Sequence, residues 1–222
     1  MDDDDLAKAI IERLELVGAR VHRIDQPSED GPGSDLPRLQ ETVAAVVGGE
    51  GSLDIWVQSA HADDPKPAAE LDLLAWQRGL SQTVGVTFAG AQAAGRFMLS
   101  QGRGSMVLLT SVDGFLASGG RVTACCGAAG VIMLAKTLAC EWAGNGVRVN
   151  AVASTRWLAP PRGSEEVEIT AVGISPSRIP LGRPPRPTEL AEAVVYLAGP
   201  QSSFVTGEVL RVDGGWTGYH LF

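Results

Sequence analysis

Apolar residues recur along this chain in two alternating spacings. Leu6, Ile10, Ile11, Leu14 and Val17 lie three and four apart, the stripe of one helical face, and Gly18 ends the run. Residues 19–25, ARVHRID, then alternate as a strand does. Residues 26–35 are loop, and Pro32, which has no N–H, with its acidic neighbours makes Gly31-Pro32-Gly33 a poor phosphate cradle. Residues 36–47 predict a second helix capped by Ser34 or Asp35, and residues 53–60, LDIWVQSA, a second strand. An acidic, Pro-containing loop at 62–72 leads to a long predicted helix over 73–100, marked by Trp76, Leu80, Val84, Phe88, Phe97 and Met98. Gly79, Gly85, Gly90 and Gly95 weaken that helix, but small residues also let another helix approach closely, at an oligomer seam or in a core.

The second half is more regular. Residues 105–112, SMVLLTSV, are too short and too rich in Val and Leu for most helices and predict a buried strand. A nearly charge-free helix over 122–143 follows, broken at Gly144-Asn145-Gly146, and VRVNAVA at 147–153 is again a buried strand. Strand, helix and strand with a tight return make a parallel, right-handed crossover. Residues 155–186 are rich in Pro, Arg and Gly; behind them Thr188 caps a helix facing Leu190, Val194 and Leu197 inward, and a last strand begins at Val209. The expectation is one α/β domain over residues 1–222, a single Rossmann-like doubly wound parallel sheet.

Composition narrows the function. A net charge of −8 on 222 residues argues against nucleic acid, whose phosphates call for Lys and Arg. The start, MDDDD, is unlike a signal peptide, and 122–140 predicts a buried helix, not a membrane span. Cys125, Cys126 and Cys140 are expected as small core residues of a reducing, cytoplasmic protein, and no Cys or His has metal-ligand spacing.

The stretch from 105 to 153 resembles the catalytic half of the short-chain dehydrogenases/reductases. Glu141-Trp142-Ala143 and Arg148-Val149-Asn150 match that family's pattern as they stand, and so do Arg178 to Arg183, Pro187-Thr188-Glu189-Leu190, Phe204-Val205-Thr206-Gly207 and Val212-Asp213-Gly214-Gly215. Counting back from these motifs, the resemblance places Ser111 on the family's catalytic serine. Its tyrosine then falls on Ala124, thirteen residues on, its lysine on Ala128, and its active-site asparagine on Thr83. The family's Asn-Asn-Ala-Gly strand end is Gln58-Ser59-Ala60-His61 here, and its Pro-Gly is Ser154-Thr155.

The resemblance also implies a sheet shortened at its N-terminal side, because helix 6–17 and strand 19–25 correspond to the elements after the family's Gly-rich phosphate loop. The strand at 19–25 would slide in beside 53–60. Asp25 would stand at the ribose position, although a turn residue is its simpler reading. With aspartates at positions 2–5 where phosphate would dock, the expectation is that this chain binds no cofactor, NAD(P)H residing in a partner subunit. The expected function is a non-catalytic subunit beside an active relative, or a homo-oligomer, assembled through helices 73–100 and 122–143 and the C-terminal strand. Trp216 or Phe222 would reach the neighbour's pocket. The alternatives are a different chemistry in the emptied pocket, using Ser111, Asp113, His61 or Cys125, and a residual NAD(P)H-dependent reductase.

Overall fold

A computed structural model of the chain describes residues 3–24, 32–62, 65–155 and 179–218. Four parallel strands form one sheet: β1 (Ile55–Ser59), β2 (Gly104–Ser111), β3 (Val147–Ser154) and β4 (Val209–Val212), side by side in that order. The helices are α1 (Asp3–Leu16), α2 (Pro32–Glu50), α3 (Leu73–Leu80), α4 (Val86–Gln101), α5 (Val122–Trp142) and α6 (Pro187–Ala198). This is the doubly wound Rossmann-like arrangement that the alternation predicts.

The strands sort side chains to the two faces. Met106 and Leu108 of β2 and Val149, Ala151 and Ala153 of β3 point to a core shared with α2, α4 and α5. Val107, Leu109 and Val152 point the other way, to α1 and α6. Helix α1 lays Ala9, Ile10 and Leu14 on Leu190, Val194 and Leu197 of α6, and an Arg13–Glu192 ion pair closes the rim. Gly18, at φ +92°, turns the chain out of α1.

Several expected elements differ. Residues 19–24 are extended but form no strand among the described residues. The alternation there is real: Ala19 and Val21 pack on one core and Ile24 on the other, while Arg20 and His22 reach out to Glu50 at 2.6 and 3.2 Å. Side-chain burial thus satisfies the period-2 pattern without a ladder. Helix α2 begins at Pro32, so Ser34 and Asp35 lie inside it and do not cap it. The helix expected over 73–100 runs without a break from 73 to 101, with one π-helical turn at Ser81–Gly85 between α3 and α4. Its glycines serve contacts within this chain: a Cβ on Gly79 would stand 2.3 Å from Thr123, on Gly90 2.4 Å from Gln58, and on Gly95 2.5 Å from the Trp142 ring.

At α6 the cap is not Thr188. The helix starts at Pro187, and Glu189 reaches back to accept from the Arg186 N–H at 2.7 Å. The Arg-Val-Asn motif is structural. The Arg148 guanidinium donates to the carbonyls of Leu197, Ala198 and Gly199 at the end of α6 and to the Ser105 and Ser202 hydroxyls, and burial lowers its pKa. Asn150, fully buried, donates to the Val205 carbonyl and accepts from the Glu208 N–H.

Candidate active site

In an open parallel sheet, ligands bind beyond the carboxyl ends of the strands. There β1 ends at Ser59-Ala60-His61, β2 at Ser111 and β3 at Ser154-Thr155, and Ser111 and Ser154 lie side by side in the ladder. The N-terminal turns of α5 pack against the short 3-10 turn Val112–Gly114 that follows β2. The contact is tight: a Cβ on Gly114 would stand 2.9 Å from the Ala128 backbone.

Ser111 is committed to that turn. Its hydroxyl accepts from the Asp113 N–H at 3.1 Å and donates to Asp113 Oδ2 at 3.0 Å. Ser118 donates to the other carboxylate oxygen at 3.3 Å, and Arg121 Nη2 stands 3.1 Å from Oδ2. Asp113 and Arg121 are only 7% and 5% exposed. A buried ion pair therefore ties the end of β2 to the start of α5. A charge pair out of water persists only with good geometry and further hydrogen bonds, which the two serines supply on the Asp113 side. Asp113 was among the sequence candidates and Arg121 and Ser118 were not; the local signal for Arg121 is a lone Arg before a charge-free helix.

Thr83, Ala124 and Ala128 are brought together. Thr83 sits buried in the π-turn, and its side chain lies 3.0 Å from where a Cβ on Gly127 would be. Its hydroxyl donates back to the Gly79 carbonyl at 2.7 Å, while Oγ1 itself stands 3.1 Å from that same point on α5. Ala128 is 4% exposed and Ala124 half-buried. Among these three residues and Ser111, no side chain of the site offers a phenol, amine or imidazole at the α5 turn. His61 is exposed on the loop after β1.

The cysteines depart from expectation. Cys126 and Cys140 are exposed, and half-buried Cys125 directs its thiol at the Leu116 carbonyl, 3.8 Å away. Asp25, Phe222 and residues 156–178 lie outside the described residues; Trp216 lies in a 3-10 turn, half-buried against the α2/α4/α5 core. Among the described residues no cluster of three His, Cys, Asp or Glu could hold a metal. Helix α5 with the turn after it has the length and apolarity of a membrane span, yet half of that span is buried in this fold.

Two threonine hydroxyls at this end of the molecule are buried without a partner: Thr123 Oγ1 at the start of α5 and Thr155 Oγ1 just past β3, each residue 2% exposed. An unsatisfied buried hydroxyl is costly unless something completes it. Thr155 is thus a donor and acceptor beside Ser154 and Ser111, at the sheet end where a nicotinamide would lie. The residues on this side fit a bound cofactor; the described residues contain no glycine-rich turn for its phosphates.

A parallel doubly wound sheet open at the carboxyl ends of its strands puts the chain in the Rossmann-like class of α/β folds. The chain belongs to the short-chain dehydrogenase/reductase family, matching the family model described as enoyl-(acyl carrier protein) reductase over residues 34–217. It is 35% identical to the cis-4-hydroxycyclohexanecarboxylate dehydrogenase of Sinomonas cyclohexanicum over 96% of this chain and 82% of that one. It is 34% identical to the D-threitol dehydrogenase of Mycolicibacterium smegmatis over 83% of this chain and 70% of the relative. A short-chain type dehydrogenase/reductase from Mycobacterium marinum superposes with a TM-score of 0.75 at 27% identity, covering 95% of this chain and 80% of that one. The gluconate 5-dehydrogenase of Burkholderia cenocepacia, solved with NADP and tartrate, shares the fold with a TM-score of 0.83 at 23% identity, over 97% and 92% of the two chains.

These likenesses overturn the expectation that the chain binds no cofactor. It aligns with dehydrogenases over most of its length, and a structural neighbour holds NADP. The charge argument behind that expectation also weakens. Asp4 is paired with Lys8 at 2.7 Å and Arg23 at 2.6 Å, so it presents no bare anion to a phosphate.

Proposed function

We propose that this chain is a nicotinamide-nucleotide-binding subunit of a short-chain dehydrogenase/reductase assembly, with proton transfer carried by a catalytically complete relative. The observation that carries this is the α5 turn, where motif spacing puts Ala124 and Ala128 at the family's tyrosine and lysine positions and Thr83 packs on Gly127 with its hydroxyl donating to the Gly79 carbonyl. The cofactor, when bound, supplies or takes up hydride. Around it Thr155 and Ser154 offer hydrogen bonds, while the Ser111 hydroxyl is committed to Asp113, to whose carboxylate it donates. Among the described residues, Ala124 puts no phenol at this site to protonate an alkoxide formed there, and such an acid is worth roughly 100- to 10,000-fold in rate. The relative would dock at the β4 side of the sheet, where Leu181, Tyr196 and Phe204 are exposed.

The test is to titrate the purified chain with NADH and NADPH by fluorescence and to assay ketone reduction with and without co-expressed homologues. Binding without appreciable turnover, and turnover on adding a relative, is the expected result. Turnover by the isolated chain at a family-like rate would overturn it. That outcome is the second reading, an ordinary dehydrogenase, which the relatives' activities favour.

A further inference from the structure

The carboxyl end of the sheet carries a cation that no carboxylate neutralises. In the ladder Arg211 of β4 lies level with Ala153 of β3, and Ala153 with Thr110 of β2. Val209, two residues earlier, faces the core under α4 and α5, so Arg211 leaves β4 on that same face. Its guanidinium carbon stands 5.6 Å from the centre of the Phe115 ring, in the chain just past the 3-10 turn that follows β2. The side chain therefore crosses the end of β3 to reach the end of β2. Among the described residues it makes one hydrogen bond, from Nη1 to the Thr217 hydroxyl at 3.2 Å, and no ion pair. Asp213, the nearest carboxylate along the chain, accepts instead from the Gly215 N–H and from the N–H and hydroxyl of Thr217. Phe115 and Leu116 are both exposed, and the Leu116 carbonyl faces the Cys125 thiol in the first turn of α5. An apolar shelf thus runs from Arg211 to the turn that carries Ala124, and Ser111 precedes Phe115 by four residues.

We infer that Arg211 selects the substrate by holding the carboxylate of a short hydroxy- or keto-acid whose carbon chain lies on Phe115 and Leu116 and whose reacting carbon points to Ser111. This rests on the proposed reading of the sheet end as the substrate side of a nicotinamide site, and names the class of substrate. The Phe115 ring and the Thr217 hydroxyl hold the guanidinium in place. With Nη1 engaged by Thr217, the guanidinium keeps further N–H donors for the fork that a carboxylate accepts. The other arginine at this end, Arg121, is spent on Asp113. One available cation beside an apolar shelf suits a monoanion on a hydrocarbon chain better than a phosphate, whose second charge would go unmatched. Two strand spacings, roughly 10 Å, separate the backbones of β2 and β4. Arg211 leans across most of that distance, which leaves a gap that a few carbons bridge.

The test separates charge recognition from packing. Levulinate, a short keto-acid, and its neutral methyl ester are titrated into the intact chain and followed by ligand-observed NMR. The acid should bind at least about tenfold more tightly than the ester, the scale of a charge-assisted hydrogen bond. Arg211→Gln should abolish that preference by weakening the acid alone, and Arg211→Lys should keep part of it. Arg211 is exposed, so both variants should keep the wild-type circular dichroism and Tm. The comparison of acid with ester in the wild-type chain stands without any variant. Equal binding of the two, no binding of levulinate, or a preference that persists in Arg211→Gln would overturn the inference. NADH is titrated into the same samples. Binding of NADH without the acid preference strikes this inference alone, and the acid preference without NADH binding strikes the proposed function alone.

Discussion

Removing the carboxylate of Asp113 tests whether the end of β2 is held by charge. In Asp113→Ala the Arg121 guanidinium, 5% exposed, loses the anion 3.1 Å away, and Ser111 and Ser118 lose their acceptor. Breaking one side of a buried pair costs about 3–5 kcal/mol. For a chain of this size each kcal/mol lowers Tm by about 2–4 °C, so the variant should melt roughly 6–20 °C below the parent. Replacing both partners, Asp113→Leu with Arg121→Met, leaves no orphaned charge and should recover most of the loss. The assay is urea and thermal unfolding by circular dichroism over the full double-mutant cycle. A single variant within about 1 kcal/mol of the parent, with no coupling beyond about 0.5 kcal/mol between the two sites, would refute the assignment of the pair as the tie between β2 and α5.

Three other outcomes are expected. Glu189 has a pKa lowered to about 2 by the Arg183 guanidinium and the Arg186 N–H. A carboxylate lowered from its unfolded value of 4.5 contributes stability that is present above pH 4.5 and lost as pH falls toward 2; Glu189→Gln should therefore flatten the acid limb of Tm against pH in that window, an effect kept modest by solvent at this exposed pair. Gly102 and Gly146 both have φ near +73°, but a Cβ on Gly146 would stand 2.3 Å from the Gly102 carbonyl oxygen whereas one on Gly102 meets open space; Gly102→Ala should cost about 1–2 kcal/mol and Gly146→Ala clearly more, measured by urea unfolding. Ala124→Tyr with Ala128→Lys should raise ketone reduction by at least about 100-fold over the parent chain if the missing relay limits it, read in a steady-state NADPH assay.

The periodicities of the sequence were enough for the parallel sheet, because a strand buried on both faces and a helix between strands leave unmistakable runs. β2, α5 and β3 fall where SMVLLTSV, the charge-free run and VRVNAVA predict them.

The sequence alone could not say what those positions touch. Residues 19–24 alternate like a strand, yet whether they join a ladder depends on the backbone beside them, and only the tertiary structure shows side chains buried without one. The glycines of 73–101 fit a seam between chains or a core alike, and only the structure shows that Gly79, Gly90 and Gly95 approach Thr123, Gln58 and Trp142 of the same chain, far off in sequence. Cysteines count as core residues by composition, and three-dimensional packing put Cys126 and Cys140 on the outer face of α5. Arg121 pairs with Asp113 across a turn whose geometry no local pattern encodes. Local periodicity fixes which residues share a face of an element; which neighbour covers that face is settled only when the whole chain packs.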